Sequence, residues 1–499
     1  MTEPNPTDIE DLFDPPPDKV IETHISRVFL TGDRAWKLKK AGTLPYVDFG
    51  SLEQRRVACE REVALNRRTA PALYLGCRPV CRDSTGRLSL SAQGDPVEWL
   101  VEMRRFPPAA TFDELAAQNC LTPALVETLA DTIAAFHAGA AHVDVDAAAS
   151  VARTIELNRA AFDRLAPDAL PAAPLADFHT ALAAECNRRR DSLAQRRFVG
   201  RMRHAHGDLH LRNITLIDGK PVLFDCLEFD DGFAEIDTLY DFAFLLMDLL
   251  QHARADLANL ALNRYLEASG DYAGLDLLPL YVALRAAIRC HIAAMTPAGR
   301  DEAARYLALA QRALQSSGVR LAAVGGFSGT GKTTVARALA TDLGGYHWGG
   351  VLLRSDVLRK QLLGVPLAQP LPRDSYTPEA SQRTYAALLH RAALLLRDGN
   401  SVVLDAVFGR PDERRGAAGV AETCAVRFTG LWLTAPLDVL AQRVAGRRGD
   451  ASDANEAVVQ WQAQHLEPPA ATEPAWLTVD AAGDRDCTVT RARIALSAG

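Results

Sequence analysis

The sequence predicts two domains of different class: an α+β domain over residues 19–315 and an α/β domain with a parallel sheet over 316–499, behind a disordered lead-in at 1–18. Three observations carry this. The chain has 499 residues, too many for a single core when domains run to ~100–200 residues. Its front part opens with strand-like runs and closes with long helical ones, as α+β folds do. After Gln315-Ser316-Ser317-Gly318 short apolar runs alternate with helical patterns, the βαβ series of a parallel sheet covered on both faces.

Taken in order, residues 1–18 are acidic and proline-rich, with neither the basic nor the apolar stretch of a signal peptide. Arg27–Leu30 and Ala35–Lys40 read as a hairpin around Thr31-Gly32-Asp33-Arg34. Leu52–Thr69 reads as a helix closed by Pro71, and Val97–Arg105 as a strand ending at Pro107-Pro108. From Pro123 to Gln195 alanine, leucine and charges alternate as in amphipathic helices. Ile214–Ile217 and Val222–Phe224 flank an Asp218-Gly219 turn, and helical patterning runs from Ile236 to Leu314. Beyond the break, the expected order is strand 319–324, helix from Lys332, strand 351–353, helix 377–397, strand 401–405, helix 412–421, strand 426–433 and helix 437–444.

Composition bounds the function. With 48% apolar and 23% charged residues the chain is globular. A net charge of −7 supplies no bulk basic field, which argues against nucleic acid and anionic lipid as partners. No run approaches ~18 uninterrupted apolar residues, since even 239–250 carries Asp241 and Asp248, so no membrane span is expected. The nine cysteines are odd in number and scattered, which excludes a disulfide framework and fits a reduced, cytoplasmic protein. Cys77 and Cys81 have a zinc-like spacing, but no second pair follows, so buried thiols are the expectation. Lysine occurs only at 19, 37, 39, 40, 220, 332 and 360, against a background of arginine.

Gly326-Phe327-Ser328-Gly329-Thr330-Gly331-Lys332-Thr333, followed by Thr334, satisfies G-x-x-x-x-G-K-[ST] between a strand and a helix. Glycines let successive N–H groups curl around phosphate oxygens at a helix N-terminus. Lys332 is expected on the β/γ-phosphates of ATP and Thr333 on Mg²⁺. Asp356 and Arg359 follow the next strand; the first can accept a proton from a hydroxyl, or cap a helix, and the second can grip an anion. Asp405 ends an apolar strand, as the carboxylate behind Mg²⁺ does. Arg443 and Arg447, four apart with Arg448 adjacent, can close over phosphates, or simply form a solvated face. On these motifs the segment 319–465 resembles the P-loop kinases of small molecules and polynucleotide ends, a group that includes zeta-toxin-like and gluconate-kinase-like proteins.

His206-Gly207-Asp208-Leu209-His210-Leu211-Arg212-Asn213 carries a second constellation. Its Asp and Asn stand five apart, the spacing of a kinase catalytic loop, and Asp225 follows the strand Val222-Leu223-Phe224. Asp208 can deprotonate a hydroxyl while Asn213 and Asp225 hold Mg²⁺ against nucleotide phosphates. With His-Gly-Asp at its start, the segment resembles the aminoglycoside phosphotransferase and choline-kinase branch of the protein-kinase-like fold. That likeness places Lys37 or Lys39 on the ATP phosphates with Glu60 or Glu62 as partner. Both lysines share a strand face, so spacing does not choose between them, and Lys37 with Glu62 is the preferred pair. It also makes Val101-Glu102-Met103-Arg104-Arg105 the adenine hinge and Asp241 the brace of the catalytic loop. No G-x-G-x-x-G precedes Lys37; Glu22-Thr23-His24-Ile25-Ser26 stands there instead.

The whole chain, over 16–465, resembles bacterial bifunctional proteins that join an aminoglycoside-phosphotransferase-like domain to a P-loop ATP-binding domain. The expectation is an ATP- and Mg²⁺-dependent phosphotransferase with two sites and small-molecule hydroxyl acceptors. The alternatives are a nucleotide switch fused to a pseudokinase, and a polynucleotide 5′-hydroxyl kinase in the second half. Asp230, Asp231 and Glu235 can attract a cationic acceptor or form a solvated loop.

Overall fold

A computed structural model describes residues 9–23, 25–44, 47–83, 86–90, 94–166, 169–446, 455–470, 472–473 and 475–498. The chain divides into two compact units, Met1–Thr154 with Leu193–Asp248, and Ile155–Ser192 with Leu249–Gly499.

The first unit is built on an antiparallel sheet of β1 (Lys19–Glu22), β2 (Ser26–Thr31), β3 (Arg34–Lys39), β4 (Tyr74–Arg82), β5 (Leu88–Ser89) and β6 (Asp95–Arg104), in the order β1-β2-β3-β6-β4-β5. The β2–β3 hairpin turns at Gly32-Asp33 with Gly32 at φ 51°, as the sequence predicts. The sequence reading missed β4, because Gly76 and Pro79 interrupt it; the ladder absorbs them with register shifts beside Gly76 and beyond Val80. The helix Leu52–Asn66 starts in a capping box, Ser51 with Gln54, and packs Cys59 and Val63 on one side of the sheet against Tyr74 and Val101.

The other side of the sheet corrects the expectation of a disordered lead-in. Ile9 and Phe13 are buried there with Phe29, Leu38 and Leu100, and the Phe13 ring lies 5.6 Å from Phe29 and 5.8 Å from Trp36. Residues 1–8 of that stretch lie outside the described residues. Beyond the sheet, helix Pro123–Gly139 precedes a hairpin of β7 (Ile214–Ile217) and β8 (Lys220–Leu223), turned by Asp218 and Gly219 at φ 51° and 75°.

In the second unit a parallel sheet of β9 (Arg320–Gly326), β10 (Val351–Arg354), β11 (Val402–Asp405), β12 (Arg427–Thr434) and β13 (Trp476–Asp480) runs in the order β10-β11-β9-β12-β13. Central β9 is apolar on both faces; helix Lys332–Asp342 packs on it through Val335 and Leu339, and helix Arg485–Ala498, packed over β12 and β13, adds Ala492 and Leu496 to the same core. The predicted βαβ order holds as far as helix Leu437–Ala445; β13 and the closing helix were not foreseen.

Helix Ala255–Ser269, ended by Gly270 at φ 69°, lies along edge strand β10. Asn259 donates to the carbonyls of Trp348 (2.8 Å) and Gly350 (2.9 Å), and Asn263 Oδ1 accepts from Leu352 N–H (2.7 Å). These amides satisfy an edge that would otherwise be an open template for pairing. The run Tyr272–Ala294 is by length and composition apolar enough to cross a membrane, although Asp276, Arg285 and Arg289 interrupt it, and 72% of its most apolar window is buried inside the protein. All nine cysteines are free.

Candidate active sites

In the first unit Lys37 and Lys39 do share one face of β3, and both reach the same carboxylate. Lys37 Nζ donates to Glu62 Oε1 (2.8 Å) and to Asp225 Oδ1 (2.6 Å). Lys39, wholly buried, pairs with Glu62 and Glu228. Only Lys37 therefore links the helix carboxylate to Asp225. Glu60 is turned to solvent on Arg56 (2.6 Å). Burial alone would push the Glu62 carboxyl up, but Lys37 and Lys39 hold it down at about 2. Burial opposes the charge on Lys37 as well, and Asp225 and Glu62 outweigh it, so the ammonium is held well above its usual range. Neither Lys39 nor Glu228 was singled out as a pair in the sequence, where nothing local connects positions 189 apart.

The loop His206–Asn213 hangs from Asp241. That buried carboxylate accepts from His206 N–H and Gly207 N–H (2.9 Å each) and meets His137 Nε2 at 3.1 Å. Gly207 has φ 85°, and a Cβ there would stand 2.9 Å from Phe233 O and from Leu227 Cδ1. This explains why glycine separates the His from the Asp. Asp208, 31% exposed, accepts from Asn213 Nδ2 through Oδ2 (2.8 Å) and through its carbonyl (2.9 Å), with His210 Nε2 at 3.2 Å. Asn213 O in turn accepts from Phe224 N–H (2.9 Å), so Asp208, Asn213 and the start of the Asp225 segment form one hydrogen-bonded run. Asp225 adopts φ 63°, which aspartate tolerates, and its carboxylate is 40% exposed.

Two expectations need adjustment. The backbone of Val101–Arg104 is taken up by ladders to β3 and β4, so the proposed hinge does not offer free polar groups before Arg105. Asp230 and Asp231 are engaged by Arg153 and Arg61, and Asp230 also caps Gly232 N–H (2.8 Å). They make a paired loop rather than a cluster of open acids.

In the second unit Gly326, Gly329 and Gly331 take φ of 135°, 89° and 85°. A Cβ on Gly329 would lie 2.7 Å from Leu440 O, so the loop backbone passes too close to the Leu437–Ala445 helix for any side chain. Phe327 packs edge-on to Trp432 at 5.6 Å, and its carbonyl accepts from Thr330 Oγ1 (2.8 Å) and Lys332 Nζ (3.0 Å). Ser328 N–H donates to Gln462 Oε1 (2.8 Å), a brace from helix Glu456–His465 that carries no sequence signal. Thr333 Oγ1 donates to Asp405 Oδ2 (2.6 Å), and Thr334 sits half-buried in the first turn beyond.

Asp356 stands in the first turn of helix Ser355–Leu362, whose cap position is Arg354, so it is not the capping residue. Arg359 is buried and donates to Ser375 O (2.9 Å), over the Tyr376 ring at 4.9 Å. Arg443 donates to Ala481 O and Gly483 O (2.8 Å each), which ties it to the turn after β13 instead of leaving it open toward a phosphate. Arg447 and Arg448 lie outside the described residues.

Among the described residues no three His, Cys, Asp or Glu side chains gather to hold a metal. Mg²⁺ needs no such cage, since it is commonly held by one or two carboxylates plus substrate phosphates. The donor sets fit: the amide of Asn213 with the part-exposed carboxylate of Asp225, and the hydroxyl of Thr333 beside Asp405, are all hard oxygen donors.

Comparison with known proteins finds matches in both halves of the chain. The model of the phosphotransferase enzyme family matches residues 31–278, and an AAA domain model matches 321–469. Uncharacterized proteins of Mycobacterium tuberculosis and Mycobacterium bovis are 32% identical over 501 aligned positions, covering 97% of this chain and 96% of theirs. A choline/ethanolamine kinase family protein from Mesorhizobium loti aligns with 59% of this chain and 85% of its own, at 13% identity and TM-score 0.36. A gluconokinase from Sinorhizobium meliloti aligns with 37% and 97%, at 23% identity and TM-score 0.27. The chain belongs to the family of its mycobacterial relatives, and it is a kinase enzyme in which a phosphotransferase-family domain precedes a P-loop kinase domain.

Proposed function

We propose that this enzyme has two ATP sites, each transferring the γ-phosphate to a hydroxyl of a small molecule with Mg²⁺ as cofactor. The observation that carries the reading is Lys37, held between Glu62 and Asp225 in the same unit as an intact Asp208–Asn213 pair. A pseudokinase has no need to keep all five in register.

In the first site Asp208 orients the acceptor hydroxyl and takes its proton as the new P–O bond forms and the bond from the γ-phosphorus to the β,γ-bridging oxygen breaks, releasing ADP. Asn213 fixes the Asp208 carboxylate through Oδ2, and His210 stands beside the same oxygen. Lys37 places its charge on the phosphates of ATP, and Glu62 sets the direction of that ammonium. Mg²⁺, held by Asn213 and Asp225, would neutralise charge on the phosphate oxygens. In the second site the loop Gly326–Thr334 cradles the phosphates, Lys332 exchanges its contact with Phe327 O for the β/γ-phosphates, and Thr333 with Asp405 would hold Mg²⁺, which would supply charge neutralisation there. Asp356 is the proposed base and Arg359 the anion contact, with Arg447 the remaining candidate for a charge that closes on the phosphates.

The test is to incubate the purified protein with labelled ATP and a metabolite extract, using D208A and K332A in parallel. Each substitution is expected to abolish one phosphorylated product and leave the other. Loss of both products from either variant, or no labelled acceptor with the wild type, would favour the nucleotide-switch reading instead.

A further inference from the structure

The helix Ala255–Ser269 belongs to the stretch matched by the phosphotransferase family, yet one of its faces is given to the P-loop sheet. Asn259, Asn263 and Glu267 stand four apart and so form a single stripe. The two asparagines fix the helix on the backbone of the β10 edge. Glu267, the third, is buried, and neither carboxylate oxygen has a hydrogen-bond partner. Around it lie Arg354 Nη1 (3.5 Å), Arg264 Nη1 (3.6 Å) and Arg337 Nη2 (4.0 Å). Arg337 is on the helix that follows the P-loop, and Arg354 ends β10.

Arg354 faces two carboxylates. Its Nη1 is 3.5 Å from Glu267 and its Nε is 3.5 Å from Asp405 Oδ2, the same oxygen that accepts from Thr333. Both separations exceed hydrogen-bond length, so the buried guanidinium is shared between two anions and closes on neither. A buried cation that loses one counter-charge moves to the other, because leaving it uncompensated is costly.

We propose that Glu267 is a positioning residue for the P-loop site: it holds Arg354 off Asp405, so that the Asp405 carboxylate, with its Thr333 contact, stays available to Mg²⁺ and is not taken up by the guanidinium. The inference rests on reading Thr333 and Asp405 as the Mg²⁺ side of that site. Without the Glu267 charge, Arg354 pairs with Asp405 and competes with the cation.

The experiment uses the full chain and a non-hydrolysable ATP analogue, and reads amide hydrogen exchange in the 326–333 segment by mass spectrometry as Mg²⁺ is titrated. In E267Q the Mg²⁺ concentration for half-maximal protection is expected to rise about tenfold, which is ~1.4 kcal/mol of coupling. In E267Q/R354Q it is expected to return to the wild-type midpoint, since the competing cation is gone. A purely structural role for Glu267 predicts additive damage and no such rescue. If E267Q does not fold, E267D, which retracts the charge by one methylene, takes its place with a smaller rise. An unchanged midpoint in the single variant, or a double variant no better than it, overturns the proposal. If the wild type shows no Mg²⁺-dependent protection at all, the reading of Thr333 and Asp405 fails first and the role of Glu267 with it.

Discussion

Asn263 offers a test of how the P-loop sheet is completed. Leu352 N–H is 1% exposed by residue and points away from β11, and Asn263 Oδ1 at 2.7 Å is its acceptor. Replacing Asn263 with Leu keeps the number and branching of the side-chain heavy atoms and removes the amide. Gly350 O retains Asn259 at 2.9 Å, so the carbonyl is not orphaned, but the Leu352 donor is, and Asn259 Oδ1 loses a donor at 3.1 Å. A buried donor left unmade costs about 1–3 kcal/mol, which puts the loss near ~2 kcal/mol. For a unit larger than 250 residues this is a fall of about 4 °C in its unfolding midpoint. The assay is calorimetry of the full chain with site-resolved hydrogen exchange, which should show Leu352 and its neighbours on β10 losing protection before β9 does. A midpoint within about 1 °C of the wild type, with Leu352 still protected, would mean that the edge is satisfied by something other than this helix and would refute the argument.

Other outcomes follow from the first unit and from buried titratable groups in both units. G207A, with a Cβ forced to 2.9 Å from Phe233 O at φ 85°, should cut the Asp208-dependent phosphorylation by roughly 100-fold while leaving the circular dichroism spectrum near wild type; an unaltered rate would show that the turn is not held as described. K37M and K39M should separate function from stability. K37M loses ATP-dependent turnover in the first site with a modest change in melting, whereas K39M strands Glu228 in a buried site and should cost about 3–5 kcal/mol of stability, both read by denaturant titration beside activity. Acid should weaken the protein in two windows. His291, which burial pushes down to about 4 from 6.5, contributes stability that is complete above pH 6.5 and drains as pH falls toward 4. Glu62, held at about 2 against 4.5 when free, contributes stability that is complete above pH 4.5 and drains toward pH 2. H291F should flatten the first window and E62Q the second, in unfolding measured across pH.

What the sequence made legible was chemistry that needs fixed residue types at fixed local spacing. The loop Gly326–Thr333 and the run His206–Asn213 are contiguous, so their geometry is written in order, and Asp225 and Asp405 each follow a short apolar strand that points to them. Even the choice between Lys37 and Lys39 was framed correctly by alternation, and needed only the knowledge that Asp225 folds back onto one of them. What stayed hidden depends on partners far along the chain. Lys39 with Glu228, Gln462 on Ser328, and Arg443 on the carbonyls of residues 481–483 are each a contact between segments with no common pattern. Ile9 and Phe13 were masked by the acidic, proline-rich stretch around them, although they enter the core beside Phe29.

The stripe Asn259, Asn263, Glu267 shows the same limit at the scale of a whole helix. In the sequence it passes for the polar side of an amphipathic helix, because amides and a carboxylate four apart are what a solvated face displays. Here that face is buried: its two amides are spent on backbone that a parallel sheet leaves unpaired at its edge, and its carboxylate faces arginines. Hydropathy changes near residue 316 because a new strand begins there, and a pattern of that kind records how each segment is covered, not by which segment. The hydrogen bonds that complete β10 come from residues before the change in pattern. A P-loop half cut away at residue 316 would carry β10 with the acceptors of Leu352 and the donors to Trp348 and Gly350 removed at once, and should aggregate through that edge where the intact chain does not. Light scattering of the two proteins at matched concentration decides it: a soluble, monomeric fragment with β10 protected from exchange would show that the helix is an ornament to the sheet and not its missing side.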